Sequence, residues 1–75
     1  MSDTAGNARL IALRSIANNG GTMSIDLMDG MDAVYALRLG LDLAADGLCT
    51  HTRVSGHIGM FTITDKGRAT LETAP

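Results

Sequence analysis

Leu48-Cys49-Thr50-His51-Thr52-Arg53-Val54-Ser55-Gly56-His57-Ile58-Gly59-Met60-Phe61-Thr62-Ile63-Thr64 is the stretch on which the fold turns. Its two halves are rich in Thr, Val, Ile and Phe, which favour extended backbone, and they read with a period of two. The short connection Ser55-Gly56-His57 between them predicts a β-hairpin of Leu48–Val54 against Ile58–Thr64. Just downstream, Thr64 has the right side chain to cap a short helix over Asp65–Glu72.

Upstream the period changes to that of a helix. Leu10, Leu13, Ile16 and Ala17 recur on one helical face, after a polar lead of Ser2-Asp3-Thr4-Ala5-Gly6-Asn7. Asn18-Asn19-Gly20-Gly21 closes that helix, because Asn and Gly accept left-handed backbone. Thr22–Gly30 reads as a short second helix, capped by Thr22 or Ser24, with Asp26 in its first turn and Gly30 as its stop. A longer third helix runs from Asp32, its N-cap, to Ala45, where Asp46-Gly47 ends it. Val34, Leu37, Leu41 and Ala44 form one apolar stripe on it, and Ala36, Leu39 and Leu43 the next, as in a helix buried on two sides.

Size narrows the function classes. A chain of 75 residues, 45 % hydrophobic and 19 % charged, is composed like a small folded domain rather than a disordered or fibrous one. It has little room for both a core and a walled pocket, so no enzyme is expected. Its apolar runs are far below the roughly 20 residues of a membrane span. Met1-Ser2-Asp3-Thr4 lacks the basic and apolar regions of a secretory signal. The single cysteine, Cys49, allows no internal disulfide, and a cytoplasmic location without membrane attachment is the expectation. Tyr35 and Phe61 are the only aromatics, too few for a base-stacking platform.

The order helix, short helix, long helix, hairpin, helix resembles the winged helix-turn-helix domain of PadR-like and MarR-like bacterial or phage transcriptional regulators. Three stretches carry the resemblance. Leu43-Ala44-Ala45-Asp46-Gly47-Leu48 is similar to the step from the third helix into the sheet, and Arg53-Val54-Ser55-Gly56-His57-Ile58 to the wing. Phe61-Thr62-Ile63-Thr64-Asp65-Lys66-Gly67-Arg68 is similar to the exit from the last strand. The resemblance implies an α+β fold in one domain over residues 1–75, with a core of about 8–72. It would have three helices, a two-stranded β-hairpin wing and a short C-terminal helix. It also implies binding of double-stranded DNA, with Tyr35 and Arg38 reading base edges and Arg53 and His57 on the backbone. Arg14, Lys66 and Arg68 would add attraction, and a homodimer would double the contacts.

Charge departs from that pattern. Residues 22–50 hold Asp26, Asp29, Asp32, Asp42 and Asp46 against Arg38 alone, although this is the part that would approach a polyanion. In the family register Ala36, Leu39, Gly40 and Leu43 face the core, and Val34, Tyr35, Arg38, Leu41, Asp42 and Ala45 face outward. Met23, Met28 and Met31 lie beside this face, either filling a small core or serving a surface that repacks against partners. The alternative is therefore a phage- or plasmid-type protein that inhibits a host protein or nucleoprotein complex. Its contact residues would be Met28, Met31, Tyr35, Leu39 or Leu41, and Asp42, with the aspartates steering association.

Other chemistries find less in the sequence. Cys49, His51 and His57 lack a fourth ligand or a paired spacing for zinc, so no metal or cofactor is expected. Asp26, Asp29 and Asp32 are spaced by threes, unlike a calcium loop, and are better read as caps.

Overall fold

The computed structural model describes residues 4–73, so Ser2 and Asp3 of the polar lead lie outside the described residues. The order is α1 (Thr4–Asn18), β1 (Thr22–Asp26), a 3-10 turn (Leu27–Asp29), α2 (Met31–Ala45), β2 (Cys49–Arg53), β3 (Ile58–Ile63) and α3 (Asp65–Thr73). The fold is α+β, with three helices and a three-stranded antiparallel sheet in the order β1-β3-β2. No described helix is long and apolar enough to cross a membrane.

The hairpin forms as its pattern predicts, with His51 opposite Phe61 and Arg53 opposite Gly59. The segment before the long helix does not. Thr22–Asp26 is a strand against β3, with Met23 opposite Phe61 and Ile25 opposite Gly59. Thr22 and Ser24 therefore cap no helix. The reason is a period of two that short-helix capping signals obscured: Met23 and Ile25 pack against the core, whereas Thr22 and Ser24 are exposed. Asp26 is a cap after all, but of the 3-10 turn, where its carboxylate accepts the Met28 amide at 2.9 Å. Helix α1 also begins earlier than expected, within the polar lead, and α2 starts at Met31 after Gly30, leaving Asp32 in the first turn.

The Leu43–Leu48 step has a plain hydrogen-bond explanation. Gly47 takes a φ of 78°, its amide donates to the Ala44 carbonyl at 3.0 Å, and the Leu48 amide donates to Leu43 at 3.0 Å. This is a Schellman closure, and it turns the chain directly into β2. Thr64 then ties α3 to that turn. Its hydroxyl donates to the Gly47 carbonyl at 2.7 Å and accepts the Gly67 amide at 3.0 Å, so one side chain caps α3 and anchors it. Lys66 adds a bond to the Asp46 carbonyl at 2.9 Å.

Helices cover one face of the sheet. Leu13, Ile16, Leu43, Cys49, Phe61 and Ile63 form the buried core, and Leu37, Leu48 and Leu71 pack on it. The other face carries exposed Thr22, Thr50, Thr52 and Thr62, the usual alternation of a sheet solvated on one side. Along α2, Gly40 and Leu43 are buried, while Tyr35, Arg38, Leu41, Asp42 and Ala45 are exposed; Val34, expected outside, is half-buried.

Two glycines set the spacing of the layers. A Cβ on Gly40 would meet the Phe61 ring at 2.6 Å, and one on Gly67 would collide with the Leu48 carbonyl oxygen. On an open helix surface Gly→Ala stabilises by about 1 kcal/mol. Here overpacking of about 1–3 kcal/mol opposes it. Gly67→Ala and Gly40→Ala are each expected to lower the denaturant midpoint, and a raised midpoint would show that the layers can part without cost.

Candidate functional site: the outer face of α2 and its flanking grooves

Helix α2 is half sunk into the domain, and what stays outside is unusually apolar. The exposed large hydrophobic residues include Met28 (76 % accessible), Met31 (78 %), Tyr35 (59 %) and Leu41 (43 %), all on the 3-10 turn or α2. Met23, the third methionine of the group, instead packs on the core. Asp29, Asp32 and Asp42 are exposed on the same turn and helix, so the apolar surface is interleaved with negative charge. A local fold explains why Met28 and Met31 stand outside. The Asp26 cap and the φ of 109° at Gly30 turn the chain sharply between β1 and α2, and both methionines sit at that corner.

The cations are dispersed. Arg9 of α1 pairs with Asp46 at the end of α2, and Lys66 is committed to the Asp46 carbonyl. Arg68 lies over Gly21, whose missing side chain leaves room for the guanidinium. Arg14 is exposed on α1. Arg38 lines a shallow cavity of about 330 Å³ with Tyr35, Asp42 and Arg9 between α1 and α2. Arg53 and His57 instead line a groove of about 220 Å³ on the hairpin side of α2, with Leu37 and Leu41. The DNA-contact residues expected from the sequence thus fall in three places rather than one stripe. Among the expected protein-contact residues, Met28, Met31, Tyr35, Leu41 and Asp42 share one stretch of turn and helix, while Leu39 is half-buried.

The hairpin loop is tied back to the start of that stretch. His57 Nδ1 lies 2.9 Å from the Asp26 carboxylate, and the Leu27 amide donates to the His57 carbonyl at 2.7 Å. The Met28 amide, and then the His57 ring, hold the Asp26 carboxyl below its ordinary pKa. Neither partner was legible as such, since 31 positions separate them.

Cys49, His51 and His57 do not converge. The Cys49 thiol is buried and donates to the Gly40 carbonyl at 3.6 Å, and burial raises its pKa. The His51 ring lies 4.8 Å from the Phe61 ring, and His57 turns to Asp26. Among the described residues no trio of His, Cys, Asp or Glu is placed to hold a metal ion.

No protein-family model, curated protein or solved structure matches this chain.

The Asp26 carboxylate, with its bonds to His57 and the Met28 amide, acts as an ionised latch between the hairpin loop and the 3-10 turn. Its folded pKa lies below the unfolded value, so its stabilisation is full at neutral pH and lost as pH falls through the depressed value. Asp26→Ala is expected to melt below the parent at about pH 7 and to converge with it in strong acid. Thermal melts across that range measure this, and a constant gap at every pH would remove the ionised latch.

Proposed function

We propose that this chain is a protein-binding module of winged-helix type, docking the outer face of the 3-10 turn and α2 on a partner whose apolar surface is rimmed by basic residues. The observation that carries the reading is the run of exposed Met28, Met31, Tyr35 and Leu41 among exposed Asp29, Asp32 and Asp42. Single apolar residues scattered over a surface are ordinary, but four exposed ones along one turn and the helix that follows it favour a macromolecular contact. Methionines repack readily against a partner, and a half-exposed tyrosine is a typical anchor. The aspartates would steer association with a basic surface and add less to affinity. A partner that itself handles nucleic acid has such a surface, and occupying it would inhibit that partner.

The winged-helix reading draws its support from the long helix closed into a hairpin and from Thr64 launching α3. DNA regulation is the second reading, favoured by Arg53 and His57 beside the hairpin loop. Two features weigh against it. The first helix of a helix-turn-helix pair, which crosses the DNA backbone, is here a three-residue 3-10 turn. The helix that would enter the major groove carries Asp32 and Asp42 with Arg38.

A photo-crosslinking amino acid at position 35 or 41, compared with position 50 on the open sheet face, separates the readings in cells. Discrete protein adducts from 35 and 41 but not from 50 are expected. Tyr35→Ala with Leu41→Ala should weaken the captured complex by about 30-fold or more, in line with anchor residues worth about 2 kcal/mol. Adducts to DNA from position 35, or a double variant that binds fully, would overturn the protein reading. Titration into a duplex of roughly 30 base pairs at about 50 mM salt should show no binding. Tight binding that collapses at about 200 mM salt would instead establish the DNA reading.

A further inference from the structure

The groove on the hairpin side of α2 has a character unlike the acidic face beside it. Its apolar walls are Leu37 and Leu41 of α2 and Ile58 of β3, and its polar groups are Arg53, His51 and the loop Ser55–His57. The floor is shaped by Gly59, where a Cβ would come within 2.8 Å of the His51 ring. That glycine lets the ring lie against Phe61 at 4.8 Å and form a firm wall. His57, one of the lining residues, is held by the Asp26 carboxylate, which also accepts the Met28 amide. Among the described residues the Arg53 guanidinium and the amides of Gly56 and His57 have no acceptor.

We infer that this groove captures the C-terminal carboxylate of a partner chain ending in a branched aliphatic residue. Three points select that occupant. The unpaired Arg53, with free loop amides nearby, calls for an anion, and guanidinium and loop amides together suit a carboxylate. Leu37, Leu41 and Ile58 call for an aliphatic group close to that anion, which a DNA phosphate does not carry. The volume of about 220 Å³ is below that of drug-sized sites and suits one residue. A chain-terminal leucine bears its carboxylate and its isobutyl group on the same carbon, so both reach their partners within this space. The inference rests on the protein-partner reading and adds the chemistry of one contact to it.

The test uses the full chain and acetyl-Ser-Gly-Leu, as the free acid and as the C-terminal amide, followed by amide NMR shifts. The acid is expected to move Gly56, His57 and Gly59 selectively and to bind about tenfold more tightly than the amide. Arg53→Gln, at an exposed position, should remove that preference while leaving the spectrum of a folded protein. Equal binding of acid and amide, or no shift at these three residues, would overturn the proposal. Shifts there with a short DNA duplex but not with the peptide would assign the groove to phosphate and overturn it too. Tyr35→Ala lies outside the groove and should leave the peptide response intact. If the position-35 crosslinks fail while that response persists, the α2-face reading falls and the groove stands.

Discussion

The ring of Phe61 decides how close α2 can lie to the sheet. It is fully buried, it faces the bare backbone of Gly40 at a distance that admits no side chain, and His51 stacks on it from within the sheet. Burying a phenylalanine is worth about 1.5–3 kcal/mol, a large part of the stability of so small a domain. The Cys49 thiol reaches the Gly40 carbonyl at the same point, so the closest approach of helix and sheet is also hydrogen-bonded.

That close approach has a cost for the opposite side of α2. Among the described residues no element packs over the outside of the helix, so Met31, Tyr35, Leu41 and Ala45 are exposed there. Most small domains answer with charge and polar groups. This one keeps Met31, Tyr35 and Leu41 outside and interleaves them with aspartates, which hold the surface soluble without removing its apolar character.

Charge is divided around α2. Asp29, Asp32 and Asp42 are exposed on the turn and the helix together with Arg38, whereas Arg53 and the histidines His51 and His57 gather where β2 and the hairpin loop meet that helix. Cations that could have made a continuous basic stripe are spent internally: Arg9 on Asp46, and Lys66 on the carbonyl that ends α2. The exposed surface around α2 therefore carries both signs of charge and apolar side chains rather than a continuous basic stripe.

Local signals in the sequence determined the hairpin, the glycine stop of α2 and the Thr64 cap of α3, because each depends on a few adjacent residues and on backbone preferences that act over one turn. Periodicity alone grouped Leu41 with Leu37 in an apolar stripe; it was the register implied by the resemblance that put Tyr35, Arg38, Leu41, Asp42 and Ala45 outside, where they are exposed, together with Val34, which is half-buried. Thr22–Asp26 read as a helix because capping residues are equally at home on the polar side of a strand, and its pairing partner lies some 40 positions away at Thr62. The groove was decided by tertiary structure alone. Leu37, Arg53 and Ile58 belong to three elements, and only the packing of α2 against Phe61 brings a guanidinium and aliphatic walls around one space.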